Sequence, residues 1–223
     1  MQHGSVLEPD PDHRWNDPYA DIRSMPIEEV VSRIATYNDT IRALWSHAYG
    51  WAPDDAAGLL ARARLDRVAS LSLCLSLWTE APEVEDQRDG ALILGWANLG
   101  ALTEGTMQWF LSVYRDDYPE DERLVMRDGK RLEPDALVFE RLRQLFARHV
   151  WTDSEKERWD EWLDRIQARR NSIHAYRDRE IGDLGELHRA MREYLAFLRE
   201  LEGRTPGYPD GAQEPYETPD GTY

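Results

Sequence analysis

The chain has 223 residues, nine tryptophans and a formal net charge of −16. That length and apolar content suit one domain with a real core and exclude general disorder, while the charge argues against binding nucleic acid over the whole surface. Cys74 is the only cysteine, which excludes an intrachain disulfide and a thiolate zinc cluster. No apolar run approaches the roughly 20 residues that span a bilayer.

Residues 1–25 read as a polar, acidic arm. The arm lacks the basic start and apolar stretch of a signal peptide, so a cytoplasmic protein with no membrane association is expected. Pro26 opens a helix running to about His47, with Val30, Ile34, Tyr37, Ile41, Leu44 and Trp45 on one face. Gly50 and Pro53 break the chain. A second helix is expected from Asp54 to Glu80, ending before Pro82. Its middle, VASLSLCLSLW, alternates as a strand would, but it sits in an Ala/Leu/Arg-rich stretch nearly free of β-branched residues and is read as helix.

A third helix is expected from Asp86 to Tyr114. Gly95, Gly100 and Gly105 interrupt it, each costing roughly 1 kcal/mol against Ala. Close packing would offset that cost, which makes this helix central, with Trp96, Trp109 and Phe110 in the core. Residues 116–135 form a loop in which RDGKR can support a small hairpin. A fourth helix follows from Ala136 to His149. The fifth begins at Thr152 or Asp153, and Ser154 with Glu157 resembles a capping box. The last starts at Asp183, with Leu187, Met191, Tyr194, Leu195, Leu198 and Leu201 as one stripe, and stops at Gly203. Residues 205–223 form a Pro/Gly-rich acidic tail expected to be disordered. The reading is all-α: an antiparallel bundle of five to six helices in a single domain over 26–204.

One segment breaks the pattern. In projection at about 100° per residue, Trp159, Leu163, Ile166 and Ile173 make an apolar stripe with Trp162 beside it. The stripe runs through Arg170, passes close to His174 and has Arg169 on its shoulder. Two guanidiniums and an imidazole thus fall on a face that should be buried, where unpaired charge is expensive. Such violations mark functional or interface sites. Internal pairing of Arg170 with a carboxylate on another helix, together with a satisfied core His174, would account for the same pattern.

The residues RRNSIHAY, 169–176, place Arg169, four residues, His174, one residue and Tyr176 in a form that resembles the motif of the HEPN family. Those are helical bundles, many of them metal-independent ribonucleases of toxin–antitoxin, abortive-infection and CRISPR systems. The likeness covers about 15 residues, through RNSIHAYRDREIGD, and beyond them only helix count and order. The spacing selects Arg169, whereas the Asn that commonly follows the motif arginine follows Arg170. Four-residue spacing on an intact helix also favours Arg170.

The resemblance implies RNA cleavage by attack of the 2′-OH on the adjacent phosphate. His174 would transfer protons, and Arg169 or Arg170 would hold the phosphate. Asn171 would orient the phosphate or the imidazole, and Tyr176 would donate a hydrogen bond or stack on a base. One histidine per chain is sparse for acid and base together, and the family's habit of pairing two motif helices implies a homodimer through this helix. It also implies an antitoxin or a nucleotidyltransferase as partner, the latter acting on a tyrosine placed like Tyr176. No cofactor is expected, and His3, His13, His47, His149 and His188 show no metal-ligand spacing. Two further readings stay open. One is a non-catalytic helical dimerisation or sensor module that keeps the motif, which the acidic charge favours. The other is a ligand-binding helical regulator in which VWTDSEKERWDEWL, 150–163, lines a pocket.

Overall fold

A computed structural model describes residues 19–117, 125–174, 176 and 178–206. Among them are eight α-helices: α1 (Ala20–Ser24), α2 (Ile27–Trp45), α3 (Asp54–Arg62), α4 (Leu65–Leu73), α5 (Arg88–Val113), α6 (Phe139–Leu145), α7 (Asp153–Arg170) and α8 (Leu184–Glu202). Two two-residue strands, Met126–Arg127 and Lys130–Arg131, pair antiparallel around the expected RDGKR turn. The fold is an all-α bundle. None of the described helices is long and apolar enough to cross a membrane. The acidic tail beyond residue 206 lies outside the described residues, as do residues 1–18 of the arm.

The last residues of that arm belong to the bundle. Tyr19, Ile22 and Met25 are buried, and α1 packs on α8, because three apolar side chains at helical spacing give this short segment a face to bury. The expected helix 54–80 is instead three pieces: α3, α4 and a 3-10 segment, Cys74–Trp78. The first break is at Ala63–Arg64, where the backbone turns extended and the Arg64 guanidinium clasps Asp66 at 2.6 and 2.8 Å. The second reflects serine chemistry. The hydroxyls of Ser72 and Ser76 donate to carbonyls three residues back, at 2.6 and 2.8 Å, the spacing of a 3-10 turn. Leu75 is consequently buried while Leu73 and Leu77 stay exposed. The fourth expected helix is also shorter than its pattern, since α6 gives way to a π-helical turn at Phe146–Val150.

α5 is the central helix, packed against α3, α4, α6, α7 and α8. Its glycines are points of close approach. A Cβ on Gly95 would lie 2.6 Å from a Leu187 methyl, and one on Gly100 would lie 2.6 Å from the Arg170 Cβ. The α8 stripe faces α5 and is wholly buried from Leu187 to Leu201. Its one polar member, Tyr194, meets the Thr106 hydroxyl at 2.8 Å.

Candidate functional site

The site sits at the C-terminal end of α7, and the helix leading to it starts firmly. Thr152 is the N-cap: its N–H and hydroxyl both donate to the Glu155 carboxylate, each at 2.8 Å. The capping box is therefore Thr152 with Glu155, two residues before the expected Ser154–Glu157. The reason is that the backbone is still extended at Thr152, so Ser154 already lies inside the helix. Burial would raise the Glu155 carboxyl, but the Thr152 bonds and the Arg204 guanidinium outweigh it and hold the group below the usual glutamate range. Trp159, Leu163 and Ile166 then run into the core as expected.

The helix does not reach His174. It ends at Arg170, and Asn171–Ile173 form a 3-10 turn. The Ser172 hydroxyl, buried, donates to the Arg169 carbonyl at 2.6 Å, taking an acceptor that the next helical turn would have used. The apolar stripe ends there: Ile173, expected to be buried with it, is 45% exposed. His174 is exposed, and its backbone N–H donates to the Asn171 carbonyl at 3.2 Å. Tyr176 is fully exposed, and Asn171 is half-buried.

The two arginines part company. Arg169 is buried at 8% exposure. Its guanidinium donates to the Glu180 carbonyl and to the Glu186 carboxylate at 3.0 Å, with the Glu180 carboxylate at 3.2 Å. It thereby ties the start of α8 and the segment before it to α7. Gly182 makes this possible. Its φ is +69°, and a Cβ there would run into the Glu186 carboxylate. The indole N–H of Trp96 secures the same segment through the Ile181 carbonyl at 2.7 Å. Arg170 turns the other way. Its stem lies on Gly100, its guanidinium pairs with Glu104 at 2.7 Å, and it sits 5.1 Å from the Phe139 ring centre.

Of the five residues singled out by sequence, the structure thus brings His174 and Tyr176 to solvent beyond a single turn and anchors Arg169 and Arg170 on different helices. The sequence reasoning missed Glu104, Gly182 and Glu186. Glu104 had a signal: it is the only charged residue between Gly90 and Val113, and a lone charge on an otherwise apolar central helix needs a partner. Gly182 and Glu186 carried no comparable mark. The chain matches no protein-family model, and neither a curated protein nor a solved structure shows significant similarity to it.

Proposed function

We propose that the chain is a metal-independent endoribonuclease of the HEPN kind, acting as a homodimer in a toxin–antitoxin or phage-defence role. The observation that carries this reading is the exposure of His174 one short turn beyond Arg170, with Tyr176 exposed after it. His174 takes the proton of the RNA 2′-OH; the oxygen attacks phosphorus, the 5′-oxygen leaves with a proton, and a 2′,3′-cyclic phosphate forms. Arg170 supplies the charge that the transition state needs, exchanging Glu104 for phosphate. Arg169 holds the turn in place from beneath. A second motif helix across a two-fold axis provides the second imidazole, and the exposed Ile173 gives that pairing apolar surface to cover. Tyr176 offers its hydroxyl to a nucleotidyltransferase partner, and an antitoxin would cover the same end.

A second reading is favoured by the ion pairs themselves. With Arg169 held by Glu186 and Arg170 by Glu104, both arginines already have structural work, as they would in a non-catalytic dimerisation or sensor module. The two readings separate in one assay. Purified protein is incubated with tRNA and mRNA in chelator, and wild type is compared with His174→Ala. Loss of cleavage in the variant by about 100- to 10,000-fold supports the enzyme. Equal cleavage by both removes His174 from the chemistry, and no cleavage by either leaves the module. Sedimentation as a monomer would overturn the paired cleft.

A further inference from the structure

A cleft of about 630 Å³ opens between α1, α7 and α8, on a stretch of α7 that ends before Arg170 and His174. It is lined by five arginines against two glutamates, in a chain whose net charge is −16. Arg165 is neutralised by Glu193 at 2.7 Å. Three of the others are not matched by any carboxylate among the described residues. Arg192 is fixed by backbone alone, donating to the Met25 carbonyl at 2.9 Å and to that of His188 at 3.2 Å. The Arg158 guanidinium carbon lies over two rings that stand at 75° to each other, 4.3 Å from the centre of Tyr19 and 4.5 Å from that of Trp159. Arg189, on the exposed side of α8, has no hydrogen-bonding partner among the described residues. Trp162, which also lines the cleft, keeps its indole N–H buried without an acceptor.

This arrangement has a cost that a ligand would remove. Uncompensated guanidiniums side by side repel, and low-dielectric walls focus their field into the cleft. Guanidinium donors match phosphate oxygens in pairs. A guanidinium held over aromatic rings keeps its outward side open to a nucleobase. The volume suits a small ligand and not an extended peptide. We infer that the cleft between α1, α7 and α8 binds a phosphate-bearing nucleotide, either free or as one residue of a single-stranded RNA. Arg189 and Arg192 hold the phosphate side, and the Arg158 guanidinium, held over Tyr19 and Trp159, meets the base. The inference stands apart from the ribonuclease reading, because neither His174 nor Arg170 lines the cleft.

The test uses the full chain and two probes. One is AMP carrying a fluorescent group on its ribose, and the other is a short single-stranded 2′-O-methyl oligonucleotide. The oligonucleotide has no free 2′-OH, so the outcome does not depend on whether the chain cleaves RNA. Saturable binding at low salt is expected, displaced by inorganic pyrophosphate. Arg158 and Arg189 are exposed, so the double variant Arg158→Glu, Arg189→Glu should keep the wild-type circular dichroism and melting temperature. That variant should bind at least about tenfold more weakly, the size expected for losing charged hydrogen bonds. Arg33→Glu, at a half-buried position of α2 outside the cleft, should bind as wild type. Tighter binding of the oligonucleotide assigns the site to an RNA strand, and equal or tighter binding of AMP assigns it to a free nucleotide. Binding of neither probe, or binding unchanged in the double variant, would overturn the inference. Displacement by an acidic peptide but not by pyrophosphate would overturn the phosphate assignment.

Discussion

At its N-terminus α7 is fastened first by its own residues, Thr152 and Glu155 closing the first turn on each other, with Arg204 adding a clasp on Glu155 from just beyond α8. At its C-terminus the fastenings come from far away. Arg170 reaches Glu104, 66 residues earlier, and Arg169 reaches Glu186, 17 residues later. The first end has a cap that closes on residues three apart. The second end acquires its shape only when α5 and α8 are in place. The residues with chemistry to offer are at the second end, where local helix rules have stopped deciding the conformation. The geometry of that end is therefore coupled to assembly of the whole bundle.

Substitutions along α7 and at its distant partners separate the two ends. The largest effect is expected at Trp159, whose ring meets Phe197 at 5.3 Å and Trp162 at 5.8 Å. Trp159→Ala should cost about 3–5 kcal/mol in urea unfolding, and a cost under about 1 kcal/mol would show that the N-terminal half of α7 is not a rigid base. Next is the distant fastening. Glu104→Ala leaves Arg170 partly buried without its carboxylate and should cost about 1–3 kcal/mol. A double-mutant cycle with Arg170→Ala should recover most of that cost, and additive losses would deny the pair its role. Gly182→Ala should cost about 1–3 kcal/mol through its left-handed backbone, and hydrogen exchange should rise around Arg169 before it rises around Trp159.

A smaller effect concerns acid. Because the folded Glu155 carboxyl titrates below its unfolded value, its stabilisation is full above the unfolded range and is lost as pH falls through the folded one. The melting-temperature gap between wild type and Glu155→Gln should be widest near neutrality and close as pH falls below the usual glutamate range. A gap that widens in acid would reverse the assigned sign. Smallest of all, His174→Ala should change stability by no more than about 0.5 kcal/mol, as expected for an exposed side chain. A larger loss in calorimetry would mean that His174 is part of the packing.

The elements legible in the sequence are those whose signal is periodic. The stripes of α2 and α8 and the glycine-broken centre of α5 appear where their patterns put them. The pieces within 54–80 were not legible, because an extended residue at Ala63 and hydroxyls bonding three residues back leave no mark in a hydrophobic pattern. At the site, the rule violation on α7 was readable, and so was internal pairing as one way of resolving it. What resolves the violation was not readable. Arg169 is absorbed by a carboxylate beyond Gly182, Arg170 by the lone charge on α5, and Ser172 takes the buried position that the pattern assigned to Ile173. Those answers depend on contacts between helices, and sequence spacing along one helix does not encode them.

Arg170 touches α5 through Gly100 and Glu104 and α6 through Phe139, while belonging to α7. One guanidinium is thus a shared fastener for three helices. An anion that competes for it works against all three contacts at once, and thermodynamic reciprocity requires the converse: whatever tightens α5 against α6 and α7 weakens that anion by the same factor. The spacing of three helices in the middle of the bundle and the affinity of one half-buried arginine for a competing anion are in that sense a single adjustable quantity.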